Sequence, residues 1–534
     1  MTEAQQAPSV DSAKPAPRSA LRSTLLVSAF TLASRVMGLV REQLFAILLG
    51  AGFFADAFVV AFRIPNLLRD LFAEGALSAA FVPTFARVEK EKGREAAFRA
   101  ANSIVGALLL VVGLLTVLGV VFADPLVHLL APGFSADPGK TELTVELARL
   151  MMPFLPVVSL AAVMMGMLNA RGRFGTPALA PTLFNLAAIV VGVGLKLAGA
   201  EPRTAVIGWA AGTLAGGLLQ LLIQILSLWK QGYRPIPVLT GLWRDESVRR
   251  VARLMAPATV GLAATQVNIF VNTQFASSQP GANSWLNYAF RLLYLPIGIF
   301  GVAIATVTAT SLAKSAAAGN LEEMKSGLAR GMRHVAFLTV PATVGLAVLA
   351  EPVIGLLFEH GRFTASDTRA TAIALVAYAF GLYAYSGVKV AAPAFYALDR
   401  TRIPLIASAS AVATNLTLNI IAFRWIGYVG LAIGTSLGAW VNLAVLTGAF
   451  RRHTSGTPGP KGQGSQLVRV ALAAAVMGLV LWSAERAVAG LVPVWIRALG
   501  GVGAGALVYA VACKLLRIAE MDEVLAAVMR RRRR

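Results

Sequence analysis

Apolar runs of about 20 residues recur from Leu25 to Leu516, separated by short charged loops, roughly 14 in all. At 1.5 Å rise per residue, a run of that length spans the roughly 30 Å hydrocarbon core of a bilayer. The pattern predicts helices over 24–49, 54–88, 101–123, 143–170, 178–199, 204–229, 248–277, 284–315, 333–358, 367–396, 404–423, 428–450, 466–488 and 493–517. A break in the first is expected near Gly38 or Gly50.

The pattern repeats. Ala123-Asp124-Pro125-Leu126-Val127-His128-Leu129-Leu130 matches Ala350-Glu351-Pro352-Val353-Ile354-Gly355-Leu356-Leu357 at an offset of 227 positions. Pro177 and Pro404 share that offset, and Ala61-Phe62-Arg63 matches Ala289-Phe290-Arg291 at nearly the same spacing. Six helices per repeat keep the repeats in one orientation, so a cavity is expected between the lobes. The expected architecture is an all-α polytopic membrane protein of about 14 helices, with two pseudo-symmetric six-helix lobes around a central cavity plus two C-terminal helices. Its expected divisions are a disordered tail (1–20), an N-lobe (21–230), a linker (231–247), a C-lobe (248–452), a terminal helix pair (453–518) and a basic tail (519–534).

Composition fits this class. The chain is 57% hydrophobic and 14% charged, where a soluble protein carries about a quarter charged residues. The net charge of +22 would suggest nucleic acid in a soluble protein. Its distribution argues otherwise: roughly 32 Lys and Arg fall on the side of both termini and roughly 8 on the other. The positive-inside rule makes the rich side cytoplasmic, with anionic lipid headgroups as its counter-charge. The single Cys513 excludes an internal disulfide.

Against this background four arginines stand out inside apolar stretches: Arg35, Arg41, Arg69 and Arg291. A charge at the bilayer centre costs about 2.5–3.5 kcal/mol on insertion scales. Several charges of one sign point to a cavity for a multiply charged anion, and a planar guanidinium fork matches phosphate oxygens. A break at Gly38 would let Arg35 and Arg41, six apart, converge on one space. Pro65 is expected to kink the second helix and turn Arg69 sideways. Arg63 is read as a structural residue that snorkels to an interface or pairs with Glu42, Asp56, Asp70 or Glu74. Asn415 and Asn419, four apart, could join Thr435 and Asn272 in a site for Na+ as coupling ion, or could bond neighbouring helices to one another. No histidine pair, phosphate loop or nucleophile elbow marks an enzyme. A drug exporter of cations would place acids in the cavity, and a transferase would need an acid or His constellation.

The stretches Ser34 to Arg41, Asp56-Ala57-Phe58, Pro65-Asn66-Leu67-Leu68-Arg69 and Phe72-Ala73-Glu74-Gly75 resemble those of the MurJ (MviN) lipid II flippases. So do Phe81-Val82-Pro83, Ala131-Pro132-Gly133, Asn169-Ala170-Arg171, Ala180-Pro181-Thr182, Phe363-Thr364-Ala365 and Lys389-Val390-Ala391-Ala392-Pro393. The resemblance covers nearly the whole chain after the tail. It implies the fold of the multidrug/oligosaccharidyl-lipid/polysaccharide exporters, with the last two helices forming a lipid-tail groove. It implies a transporter and not an enzyme: undecaprenyl-diphosphate-linked disaccharide pentapeptide moves from the inner to the outer leaflet of the bacterial inner membrane by alternating access. The alternative within the fold is an exporter of another polyprenyl-linked oligosaccharide or of drugs. Implied partners are lipid II, membrane lipids and the cell-wall synthesis machinery, with no nucleic acid and a monomeric state. By motif position Arg35, Arg41, Arg69 and Arg291 match diphosphate-binding arginines; Ser34, Gly38, Glu42, Asp56 and Glu74 match gating or cavity residues. The chain differs from many relatives at Tyr294, where they carry an acid, and at Asn272 and Asn419, where some place carboxylates in a sodium site.

Overall fold

The computed structural model describes residues 18–72, 75–455, 463–523 and 526, and these contain helices, turns and no strand. The first half comprises α1 (Arg18–Leu49), α2 (Phe53–Phe72), α3 (Gly75–Val121), α4 (Ala123–Leu130), α5 (Lys140–Met151), α6 (Phe154–Ala170), α7 (Gly175–Leu197) and α8 (Pro202–Trp229). The second comprises α9 (Glu246–Ser277), α10 (Ala282–Pro296), a π-helical turn (Ile297–Gly301), α11 (Val302–Ala317), α12 (Leu321–Val348), α13 (Ala350–Phe358), α14 (Ala365–Ala379), α15 (Leu382–Ala397), α16 (Arg402–Ile426) and α17 (Tyr428–His453). Then follow α18 (Gln463–Val488) and α19 (Val494–Leu515). Among the described residues ten helical segments are long and apolar enough to cross a bilayer, and the bent pair α14–α15 makes an eleventh. The helices α1, α2 and α9 run beside them and carry the polar residues discussed below.

The internal repeat has a physical counterpart. The matched octapeptides are short helices, α4 and α13, each prolonging a long helix past a single interrupting residue, Phe122 or Leu349. Pro177 and Pro404 both sit in the first turn of a helix, α7 and α16, where a missing N–H costs no intrahelical bond. Within α3 the chain turns at Gly93, whose φ of 81° is open to glycine without a Cβ penalty.

Three packing cores explain where the cavity lies. The largest joins the two halves through Phe45, Phe58 and Trp209 on one side and Tyr288, Phe358 and Phe363 on the other. Its aromatic rings pack in sequence, Phe45 on Tyr288 at 6.2 Å and Tyr288 on Phe358 at 4.9 Å. Two further cores belong to one half each: α3 with α6 and α8, and α11 and α12 with α15 and α17. The halves are therefore fused at one end and flank a space towards the other. At its start α9 packs with the first half through Val248 and Val251; at its end Phe275 meets Phe423 of α16. The helices α18 and α19 pack on each other and on α12 and α13.

Backbone and buried charge lock the fused end. Gly50 and Gly361 have φ of 67° and 63°, and the N–H of Arg362 donates to the Ile47 carbonyl at 3.1 Å. A Cβ on Gly50 would stand 2.5 Å from the Arg362 carbonyl oxygen, so only glycine permits this crossing. Asp56, fully buried in the first turn of α2, accepts from the backbone N–H groups of Gly281 (2.8 Å) and Ser284 (2.9 Å) and from the Ser284 hydroxyl (2.7 Å). The buried Lys140 ammonium reaches it at 3.3 Å and Asp137 at 3.0 Å.

Of the two break points expected for the first helix, Gly50 is the one found: α1 runs unbroken through Gly38, which faces Asn185 of α7, and stops at Leu49 before Gly50 with its φ of 67°. The second helix, α2, carries Pro65 inside it and runs on to Phe72. Most of the two expected tails lies outside the described residues. Part of the second is folded, however: residues 519–523 form a helical turn, Glu520 accepting from Arg333 at 3.1 Å.

Asp56→Ala removes the acceptor of three α10 donors and strands much of the Lys140 charge, at a cost of about 3–5 kcal/mol. The thermal unfolding midpoint of the purified protein should fall by several degrees. Asp56→Asn, which keeps one oxygen acceptor, should fall less.

Candidate functional site: a cationic cavity between the halves

The space between the halves has a volume of about 740 Å³. Its lining includes Arg41, Arg63, Arg69, Arg291 and Lys389 against Glu42 and Asp70, a formal excess of three positive charges. Three of the arginines lie at one depth. Counting 1.5 Å per residue from the fused end, Arg41 on α1, Arg63 on α2 and Arg291 on α10 are each roughly 12–15 Å inside. That is near the middle of a 30 Å core.

One carboxylate organises this layer. Glu42 Oε1 accepts from Arg41 Nη2 at 2.6 Å and from Arg291 Nη1 at 2.6 Å. Glu42 is 8% exposed, so its charge is compensated by protein rather than water. Because α1 belongs to the first half and α10 to the second, the bridge spans the interface. Arg41 also lies over the ring of Phe184 at 5.3 Å, which holds its guanidinium in place. One carboxylate cannot neutralise two guanidinium groups, so the layer keeps a net positive charge even when bridged. Arg63 adds to it. It is an electrostatic neighbour of Arg291 and of Tyr378, and among the described residues no ion pair is found for it.

Arg69 lines the cavity deeper in and binds Asp70 Oδ1 through Nη2 at 2.9 Å and Nε at 3.2 Å. Gln266 of α9 donates to the other Asp70 oxygen at 3.3 Å. Arg35 does not join them. In an unbroken helix it faces away from Arg41, and its guanidinium lies beside the π turn, where a Cβ on Gly298 would meet Nη1 at 3.0 Å. Ser34 and Gly38 line the seam between α1 and α7: the Asn185 amide donates to the Ser34 carbonyl at 3.0 Å. Asp56 belongs to the fused end, and Glu74 lies outside the described residues. Of the nine arginine, gating and cavity residues singled out in the sequence, Arg41, Arg69, Arg291 and Glu42 line the cavity.

The four amide and hydroxyl residues do converge. Asn272 and Asn415 donate to Thr435 Oγ1 at 3.2 and 3.1 Å, Asn419 donates to Asn415 Oδ1 at 2.9 Å and to Asn272 Oδ1, and Asn272 donates to Asn268. This neutral network ties α9, α16 and α17 together at the cavity wall. Asn419 Oδ1 is buried within it without a partner. No group of three or more His, Cys, Asp or Glu able to hold a metal occurs among the described residues.

Sequence reasoning missed Arg63 and Lys389. Arg63 is expected from the sequence to snorkel or to pair with an acid, yet it lines the cavity, and Asp56, Asp70 and Glu42 are engaged by Lys140, Arg69, and Arg41 with Arg291. Lys389 carried a weaker signal, a lone cation in an otherwise apolar α15.

A model of the family described as lipid II flippase MurJ matches residues 45–498. The chain belongs to the MurJ family. It is 37% identical over 465 residues to the probable lipid II flippase MurJ of Rhizobium meliloti, covering 86% of this chain and 85% of that one. It is 36% identical over 467 residues to the lipid II flippase MurJ of Burkholderia cenocepacia, covering 87% and 90%. Its structure is similar to a solved structure described as lipid II flippase MurJ in an inward closed conformation, with a TM-score of 0.77, 26% identity, and 92% and 98% of the two chains covered. It shares its fold with an inward-facing multidrug resistance MATE transporter of the MOP superfamily, at a TM-score of 0.65, 19% identity, and 81% and 98% coverage. With its apolar spans and bacterial MurJ relatives, the chain is a multi-pass protein of the bacterial inner membrane.

If Glu42 occupies donors that an anion would use, Glu42→Gln should strengthen binding of inorganic pyrophosphate about tenfold, since a charged competitor becomes a neutral one. Isothermal titration of the purified protein reads this. Weaker binding would show that Glu42 chiefly positions the arginines.

Proposed function

We propose that this MurJ-family protein carries lipid II, the undecaprenyl-diphosphate-linked disaccharide pentapeptide, from the inner to the outer leaflet by alternating access. The observation that carries the proposal is the Arg41–Glu42–Arg291 bridge, in which cations from both halves meet at mid-depth in a cavity of excess positive charge. Both guanidinium groups can turn from Glu42 to diphosphate oxygens, with Arg63 and Arg69 adding charge along the wall. A diphosphate brings more negative charge than one carboxylate, so it draws the halves together more strongly than Glu42 does. Closure around it would open the fused end by rocking the halves.

In this reading the fused end faces outward. Support comes from the charge distribution: the loops at the fused end carry few Lys and Arg, and the opposite side, with both termini, carries most of them. The isoprenoid tail stays in lipid along α18 and α19 while the headgroup crosses through the cavity. The protein acts as a monomeric transporter and not as an enzyme, delivering its cargo to the cell-wall synthesis machinery. Arg35, exposed beside the π turn, stands where a headgroup would pass between α1 and α10.

Coupling to Na+ is a separate part of the proposal. Asn272, Asn415, Asn419 and Thr435 would hold the ion through oxygen, and the unpartnered Asn419 Oδ1 supports a ligand there. The ion would supply a gradient that returns the halves to the starting state.

The deciding experiment replaces Arg41 or Arg291 with Ala in cells that depend on this copy. Growth should stop, and lipid II should fail to reach the outer leaflet while the protein remains in the membrane. Normal flipping in both variants would end the proposal. Exchanging Na+ for K+ in a vesicle assay should slow flipping at least tenfold if the amide cluster is a coupling site; an unchanged rate removes the ion and leaves the cavity mechanism in place.

A further inference from the structure

Charge pairing divides the cavity wall into two parts. At mid-depth, Arg41 and Arg291 grip Glu42, and Arg63 is an electrostatic neighbour of Arg291. Farther in, Arg69 is held by Asp70 on the first half. On the second half, Lys389 of α15 lines the same cavity, partly buried, and among the described residues no ion pair is found for it. A half-buried ammonium without a counter-charge is costly in a membrane protein and marks a functional position.

Lys389 is also far from the arginine layer. Tyr378, the neighbour of Arg63, lies eleven residues earlier on the α14–α15 pair. At 1.5 Å per residue, less the shortening from a 40° bend, the separation is on the order of 15 Å. A single diphosphate cannot bridge that distance. The surroundings differ too. Gly387, two residues before Lys389, packs against Leu443 of the adjacent α17, so Lys389 and Asn442 lie at about the same level of two packed helices. Both line the cavity, and Asn442 Oδ1 is buried without a hydrogen-bond partner. An unfilled acceptor and an unpaired ammonium at one level of the same cavity wall call for a ligand that offers an N–H donor and a carboxylate together. A peptide chain does so.

We infer that Lys389 and Asn442 form a second subsite, which takes a carboxylate and a backbone N–H of the peptide branch while the arginine layer takes the diphosphate. This rests on the lipid II reading above and adds to it a site for the other charged part of the headgroup. A five-residue branch spans at most about 17 Å when extended, enough to reach from one subsite to the other. A compact ammonium suits a single carboxylate, whereas the planar arginine forks suit phosphate. The arrangement makes headgroup recognition a two-point measurement, and a polyprenyl diphosphate without its peptide would satisfy only one point.

Native mass spectrometry of the full-length protein, titrated separately with lipid II and with undecaprenyl diphosphate, tests this. Lys389→Gln should weaken lipid II binding at least tenfold and leave undecaprenyl diphosphate binding unchanged; Lys389→Arg should keep most of the affinity. Lipid II with its peptide carboxylates amidated should bind wild type and Lys389→Gln equally. Equal weakening for both natural lipids would place Lys389 in the diphosphate site and overturn the inference, as would no weakening for either. Failure of the wild type to bind lipid II would sink the transport reading instead, a result distinguishable from both.

Discussion

A carboxylate gripped by guanidinium groups from two halves of the chain sets the terms for the rest of the molecule. At mid-membrane depth water is scarce and an uncompensated charge is expensive. Glu42 makes Arg41 and Arg291 tolerable there, yet leaves the layer positive. The same arrangement fixes the relative position of the halves, because neither arginine can leave the carboxylate without a replacement acceptor. Cargo of the right charge is such a replacement. Binding and conformational state are thereby tied to one set of hydrogen bonds.

The fused end supplies the opposing half of the balance. Asp56 and Lys140 are buried charges whose partners lie on both sides of the interface, and the Gly50–Gly361 crossing brings two loops to backbone contact. None of these groups lines the cavity. The seal can therefore be strong without competing for cargo, and its strength sets how much binding energy closure around the headgroup must provide. A ligand moves such an equilibrium only by its difference in affinity for the two states. A cavity layer that is bridged in one state and filled by cargo in the other provides that difference.

Hydrophobic run length and the charge of the loops made the helical architecture readable, because bilayer thickness constrains both. The repeat was readable because α4 and α13 keep similar residues at similar interruptions. Which face a helix turns inward was much less readable. Arg35 and Arg41 share a motif, but an intact α1 sends Arg35 to the π turn and Arg41 to Glu42 and Phe184, with Ser34 and Gly38 on the α7 seam. Glu42 looked like one gating residue among several, since its second partner lies 249 positions away on α10. Lys389 was overlooked because a lone lysine in an apolar helix has no local pattern; its meaning comes from the cavity it lines and from its lack of an ion pair among the described residues.

The built-in carboxylate also bears on release. A site that bound diphosphate with bare arginines would hold it too well, and an ion gradient would have to remove it. With Glu42 beside the same guanidinium groups, a departing diphosphate is replaced at once by a carboxylate that cannot diffuse away. The net cost of release is the difference between two charge-assisted sets of bonds, far smaller than either set alone. In the proposed mechanism an acid one position from Arg41 is thus part of the diphosphate site even though it repels the cargo, and its repulsion is what keeps the affinity escapable.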